Sequence, residues 1–164
     1  MADLRQMTAI AVLRISFGLV YLTNGLAKLV PGIAHLPGGY FLIDGDGARS
    51  ILAHNAARHP VAPYHDLVFS VLLPNWSVVG PLVGVAETTA GLLLVLGLAS
   101  WAGALLAALL ALHVQFSDAS GPWLFEYAVE WVPLLCLVFM RSGVRWGLDG
   151  RIARTDRRWR KLFA

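Results

Sequence analysis

Two ionisable side chains interrupt apolar segments that are long enough to cross a membrane. Arg14 lies in segment 7–30 and Glu87 lies in segment 76–98. About 20 helical residues, at a rise of about 1.5 Å each, cover the roughly 30 Å hydrocarbon core of a bilayer. An ionised side chain at that depth costs roughly 2.5–3.5 kcal/mol, so it should face a partner or a cavity rather than lipid. These two charges therefore indicate a buried polar site.

The depths of these two charges predict that they pair. Arg14 lies about seven residues, or about 10 Å, from the end of its segment. Glu87 lies about eleven residues, or about 16 Å, from the same side of the membrane. An arginine side chain can bridge that difference, so we expect an Arg14–Glu87 ion pair between two helices. The pair is either a purely structural lock or part of a functional site, and loss of either partner should be strongly destabilising.

Helical spacing places each charge in a stripe of small and polar residues. Such stripes mark faces where helix backbones approach closely, so we expect the two stripes to meet. The first stripe contains Arg14, Gly18, Tyr21, Gly25 and Lys28, and the second contains Gly80, Gly84, Glu87 and Gly91.

A second polar group is predicted near the opposite ends of the apolar segments. His113 and Glu130 are candidates for a catalytic pair that accepts protons. The alternative is that His113 is only hydrogen-bonded between helices and that the charges nearer the surface are solvated. The residues expected to complete a substrate or quinone pocket are Tyr21, Asn24, Lys28 and Glu126.

The sequence gives little support for metal, haem or thiol-relay chemistry. Cys136 is the only cysteine, and His113 is the only histidine in an apolar segment. A CxxC pair and two haem-ligating histidines within the bilayer are therefore excluded. Asp44 opens a sequence similar to a calcium loop, but Asn55 stands where the loop needs its final glutamate. Three further histidines match no standard zinc spacing and are expected to be solvated: His54, His59 and His65.

Composition indicates an integral membrane protein. The 164 residues are 57% hydrophobic and only 14% charged, against about 25% charged residues in soluble domains. The net charge of +3 does not indicate nucleic acid, because eight of the 13 Lys and Arg residues lie in segment 141–161. A basic run after a hydrophobic segment is typical of a cytoplasmic tail on anionic lipid. The expected lipid contacts are Arg154, Arg157, Arg158, Arg160 and Lys161.

The predicted fold is all-α, an antiparallel bundle of four transmembrane helices with both termini in the cytoplasm. The membrane domain would comprise residues 1–149, followed by the basic tail 150–164. A long external connection, 31–75, should contain a helical piece at 47–58 and an apolar piece at 66–73 that is too short to span, and both either lie at the membrane interface or fold back over the bundle. The four spans are predicted at residues 7–30, 76–98, 101–117 and 123–140.

Three parts of the sequence resemble the DoxX-like family of small bacterial four-helix membrane proteins. They are LRISFGLVYLTNGLAKL in the first span, VGVAETTAGLLLVLGL in the second, and RWGLD at 145–149. Relatives of that family include the small subunit of an archaeal thiosulfate:quinone oxidoreductase and a mycobacterial protein that works with a sulfurtransferase and a superoxide dismutase. The resemblance implies a quinone- or thiol-linked redox role in the bacterial inner membrane, as one subunit among several.

Three functional hypotheses follow. The first is a redox-associated subunit that holds a quinone headgroup or a small sulfur compound in an outward-facing pocket, without a covalently bound cofactor. The second is a non-catalytic scaffold that binds a protein partner or a second copy through the GxxxG sequence at 80–84 and through its basic tail. The third is a small transporter, for which four spans would require oligomerisation.

Overall fold

The computed structural model describes residues 4–37, 39, 42–118, 124–140 and 142–155, with the backbone alone for 124–127 and 154–155. Across these residues the secondary structure is helical, without a β-strand. A 3₁₀ turn covers Ile33–His35, and a π-helical turn at Val68–Leu72 continues α3. The α-helices are α1 (Leu4–Leu29), α2 (Gly45–Ala57), α3 (Ala62–Leu67), α4 (Trp76–Leu96), α5 (Ser100–Ser117), α6 (Leu124–Phe139) and α7 (Leu148–Thr155).

Three of these helices, α1, α4 and α5, are long and apolar enough to cross a membrane. Their bounds lie within a few residues of the predicted spans. Many of their large apolar side chains point outward, among them Leu82 and Leu109. A helix that is hydrophobic all round is typical of a membrane span or of a large protein core. The helix α6 has 16 residues, which is about 24 Å at helical rise.

The two predicted stripes do meet, along the contact between α1 and α4. A side chain added at Gly25 would collide with the backbone of Thr88, and one added at Gly91 would collide with Leu22. The two helices therefore run antiparallel with their backbones in close contact. Gly84 packs against Leu29 of the same chain, so this glycine of the GxxxG sequence is used internally.

One core is shared by α1, α4, α5 and α6. Three of its eight buried residues are alanines of α5, whose small side chains allow close approach of the neighbouring helices. Trp131 also donates a hydrogen bond from Nε1 to Oε1 of Gln115, which joins α6 to α5. The buried residues of this core are Tyr21, Ala90, Leu94, Ala104, Ala107, Ala108, Leu134 and Leu137.

The connection between α1 and α4 folds over one end of these helices, which is one of the two arrangements considered from the sequence. The helix α2 begins at Asp44, whose Oδ1 accepts a hydrogen bond from the amide of Gly47 at 2.7 Å. We call α2, α3 and the turn Val68–Leu72 the roof. Its own apolar cluster contains Ala56, Tyr64 and Val68, with Leu52, Leu72 and Leu73 packed against them.

Two of the hydrogen bonds that fix the roof to the long helices are donated by ring nitrogens. Trp76 donates from Nε1 to the carbonyl of Gly45 at 3.1 Å. His59 accepts from the amide of Val61 at Nδ1, so its Nε2 carries the proton and donates to the carbonyl of Phe116 at 2.9 Å. The prediction of a solvated His59 is therefore wrong, since this side chain joins the roof to α5 and is only 8% exposed.

Candidate functional site

An ion pair between α1 and α4 lies beneath the roof. Lys28 Nζ is 2.7 Å from Glu87 Oε2, and the two side chains are 5% and 16% exposed. The ammonium group also lies 3.4 Å from the carbonyl oxygen of Asn24, one turn earlier in α1. Burial of a lysine and a glutamate is costly unless they neutralise each other, and this contact provides that neutralisation.

Arg14 occupies a different site, at the opposite end of α4. Its side chain is fully buried, and its guanidinium donates to the carbonyls of Leu94, Val95 and Trp146. The last carbonyls of a helix have no partner within that helix and carry partial negative charge. A guanidinium is well suited to bind several of them because its donors form a planar fork.

The predicted Arg14–Glu87 pair is therefore wrong, and the register of α1 against α4 explains why. Gly25 lies opposite Thr88, so Glu87 lies level with the last turns of α1 and meets Lys28. Arg14 instead lies against Gly97, ten residues beyond Glu87, which is about 15 Å along the helix. Depths counted from the two span ends do not reveal this offset.

Tyr21 joins three helices through one hydroxyl group. Its oxygen lies 2.7 Å from Glu130 Oε1 in α6 and 2.9 Å from the carbonyl oxygen of Ala107 in α5. The side chain of Tyr21 is 6% exposed. The hydroxyl has one proton to donate, and both acceptors lie within hydrogen-bonding distance of it, so Tyr21 gives the Glu130 carboxyl group a polar partner at a helix interface. The predicted pairing of Glu130 with His113 is replaced by this contact with Tyr21.

A cavity of about 170 Å³ lies between the roof and the long helices. Lys28, Glu87 and His113 contribute its ionisable groups, while Trp76 and Ser117 add polar atoms. The remaining walls are apolar and come from the segment before α2, from α2, α4 and α5, and from the turn that follows α3: Ile43, Ala48, Ile51, Leu52, Leu72, Val79, Val83 and Val114. The structure thus brings together two predicted site residues, Lys28 and His113, and adds Glu87 to them.

The other predicted site residues are placed as follows. Asn24 stabilises the connection, because its Oδ1 accepts from the amide of Ile43 at 3.1 Å and its Nδ2 donates to the carbonyl of Val20. The side chains of Glu126 and Arg154 lie outside the described part of the structure. The same holds for the remaining predicted lipid contacts, Arg157, Arg158, Arg160 and Lys161.

Asp149 is a structural site that the sequence reasoning missed. Its Oδ1 accepts from the amide of Ala99 at 2.7 Å, and its Oδ2 accepts from the amide and the hydroxyl of Ser100 at 3.0 and 2.8 Å. The Asp149 amide donates to the carbonyl of Gly97 at 2.9 Å. The helix α5 is therefore capped by an aspartate 49 positions away in the chain. A helix is usually capped by the residue that directly precedes it. In the sequence, Asp149 belongs to the RWGLD stretch that carries part of the resemblance to the DoxX-like family.

We call residues 97–99, Arg14 and Asp149 the clamp. Gly97 has a left-handed backbone with φ of 59°, which ends α4 and turns the chain toward α5. Arg14 binds the end of α4, and Asp149 binds the start of α5. Each charge is opposite in sign to the partial charge of the helix end that it contacts. The clamp therefore stabilises the turn without a ligand.

Aromatic rings connect the roof to His113. The ring centroids of Tyr64 and His113 are 6.2 Å apart in an edge-to-face arrangement, and Phe116 lies 5.1 Å from Tyr64. Burial raises the pKa of the Tyr64 hydroxyl, an effect that interaction with Ser117 opposes only in part. Tyr64 is therefore the residue of the roof whose ring contacts the histidine that lines the cavity.

Within the described residues, no group of three His, Cys, Asp or Glu side chains lies close enough to hold a metal ion. Comparison with known proteins adds no further assignment. No family model matches this chain. No curated protein and no solved structure matches it either.

Proposed function

We propose that this protein is a membrane-spanning subunit of a redox-linked complex, and that its cavity binds a quinone headgroup or a small sulfur compound. The observation that carries this proposal is an apolar cavity that contains the Lys28–Glu87 ion pair and His113. Ligand sites are typically concave and apolar, with a few polar groups that fix the orientation of the ligand. This combination distinguishes the cavity from the clamp, whose polar groups bond mainly to the backbone.

The size of the cavity favours a ligand with one ring. An apolar cavity of about 150 Å³ holds one benzene molecule, and this cavity measures about 170 Å³. A single quinone ring or a compact sulfur compound would fit that space. An isoprenoid chain would have to extend beyond it.

The polar groups suit a ligand that takes up and releases protons. The ammonium of Lys28 carries three donors, so it could bind a ligand carbonyl while it remains paired with Glu87. His113 could exchange a proton with the ligand, because imidazole titrates near neutral pH. Conversion of a quinone to a quinol takes two electrons and two protons. We propose that this chain provides the proton-exchanging groups and that a partner subunit supplies the electrons.

The proposed topology has α6 as a fourth span and both termini in the cytoplasm of a bacterial cell. The roof and the cavity then face the outside, while α7 and the basic tail face anionic lipid. The resemblance to DoxX-like proteins supports this arrangement and the redox assignment. The scaffold hypothesis has less support, because Gly84 packs against Leu29 of the same chain rather than being free for a partner.

Equilibrium binding to the purified full chain in a non-ionic detergent tests the proposal. The probe is a single-ring benzoquinone with a short alkyl chain, followed by quenching of tryptophan fluorescence, since Trp76 lines the cavity. Val83→Phe should fill the cavity and weaken binding. Val85→Phe is the matched control, because Val85 is 51% exposed and outside the cavity lining. Equal affinity in both variants, or no binding by the unsubstituted chain, would contradict the proposal.

A further inference from the structure

A second open site lies at the clamp end of the molecule, remote from the cavity. It is a groove of about 560 Å³ between the end of α4, the segment that precedes α7, and α7 itself. Most of its wall is backbone and small or apolar side chain. The lining residues are Val95, Leu96, Val144, Trp146, Gly147, Leu148, Gly150 and Arg151.

The groove lies where the polar headgroups of a bilayer would be if α4 crosses the membrane. Val95 and Leu96 form the last turn of that helix. Trp146 is 59% exposed, and tryptophan is enriched at the boundary between headgroups and acyl chains. A lipid beside α4 could therefore place its acyl chains along the helix and its headgroup in the groove.

Two arginines lie at the groove. Arg151 lines it, and Arg145 lies beside it with its guanidinium carbon 5.3 Å from the centroid of the Trp146 ring. None of the described lining residues is acidic. The nearby Asp149 is 1% exposed, and its carboxylate is already bound to Ala99 and Ser100. The last carbonyls of α4 carry partial negative charge at this end of the molecule, and the guanidinium of Arg14 is hydrogen-bonded to those of Leu94 and Val95.

We propose that this groove binds the glycerophosphate headgroup of one anionic phospholipid, with Arg151 and Arg145 as its cationic contacts. Arginine is well matched to phosphate because of its planar arrangement of donors. The site is distinct from the basic tail, which would attract anionic lipid without a defined geometry. It is also independent of the proposed redox function, since it shares no lining residue with the cavity.

Native mass spectrometry of the full chain in a non-ionic detergent tests this inference. Dioleoylphosphatidylglycerol and dioleoylphosphatidylcholine serve as probes. We expect one phosphatidylglycerol per chain to bind at least about fivefold more tightly than phosphatidylcholine, the change in affinity typical of one arginine near an anionic lipid. Arg151→Gln should weaken phosphatidylglycerol binding about fivefold, and Arg145→Gln should add to that loss. An unchanged melting temperature of each variant would show that the clamp is intact.

Two controls separate this groove from other sources of binding. Arg49→Gln removes an exposed arginine from α2, remote from the groove, and should leave phosphatidylglycerol binding unchanged. Substitution of Arg157, Arg158 and Arg160 by glutamine should lower weak additional binding and spare the single tight lipid. Loss of the tight lipid in either control, equal binding of the two lipids, or full affinity in Arg151→Gln would overturn the inference. Tight binding of free glycerol phosphate would also overturn it, because the occupant would then not be a lipid.

Discussion

The pairing of Lys28 with Glu87 can be tested by a double-mutant cycle. Lys28→Met alone leaves the Glu87 carboxylate without its cation, and Glu87→Gln alone leaves Lys28 without its anion. Removal of one partner from a buried ion pair costs about 3–5 kcal/mol. Replacing both partners by uncharged side chains of similar size is often neutral or even stabilising. We therefore expect each single variant to lose several kcal/mol and the double variant to regain most of that loss.

A second cycle, with Arg14 and Glu87, tests the pairing that the sequence predicted. Arg14→Met strands carbonyls of Leu94, Val95 and Trp146, each at a cost of about 1–3 kcal/mol if no water replaces the guanidinium. Arg14 and Glu87 share no contact in the structure. The effects of Arg14→Met and Glu87→Gln should therefore add to within about 0.5 kcal/mol.

The assay is reversible unfolding of the full chain in mixed micelles with increasing amounts of an ionic detergent, followed by circular dichroism. The free energy of unfolding of the four variants of each cycle gives the coupling energy directly. A large coupling of Glu87 to Arg14 would refute the register described for α1 and α4. Additive losses for Lys28 and Glu87 would refute the ion pair.

Three further predictions concern the clamp, the cavity and the roof. Asp149→Ala removes three hydrogen bonds to a carboxylate. It should lower the free energy of unfolding by at least about 1.5–3 kcal/mol, which is the contribution of one hydrogen bond to a charged group. Asp46→Ala, at an exposed position of α2, is the control, and equal losses in the two variants would contradict the capping role. If the cavity admits one ring, a single-ring benzoquinone should bind more tightly than a fused two-ring naphthoquinone, and Leu52→Ala should reduce that preference in the fluorescence titration. Because burial raises the pKa of Tyr64, its contribution to stability is complete below the unfolded value of about 10 and is lost as the pH rises through the folded value. Thermal unfolding between pH 8 and 11 should therefore show a weaker pH dependence in Tyr64→Phe than in the unsubstituted chain, and identical profiles would argue against a buried neutral hydroxyl.

The sequence was sufficient for the helices α1, α4, α5 and α6 and for the face that joins α1 to α4. Apolar runs of about 20 residues predict spans, and recurring small residues predict close helix contacts, which Gly25 and Gly91 make. Lys28 was identified as a pocket residue and Glu87 as a buried charge. Their pairing was missed because the relative displacement of two antiparallel helices depends on packing along their whole length.

Two contacts could not be predicted from the sequence, because their partners are backbone groups that no residue type identifies. Arg14 binds backbone carbonyls, which every residue possesses, so only the structure shows which ones are free. Asp149 caps a helix that begins 49 positions earlier in the chain, whereas sequence rules for capping consider only neighbouring residues. His59 was expected in solvent because it lies in the long connection and fits no zinc spacing, yet the carbonyl of Phe116 gives it a partner.

The contact of Arg14 with Trp146 has a consequence for biosynthesis. Translation proceeds from the N-terminus, so the first helix is made long before the residues that accept one of its guanidinium hydrogen bonds. The start of α5 also waits for Asp149. A nascent chain that has not yet reached Trp146 therefore holds an arginine with incomplete hydrogen bonding and an uncapped α5, so this end of the bundle is completed only after both later residues are made.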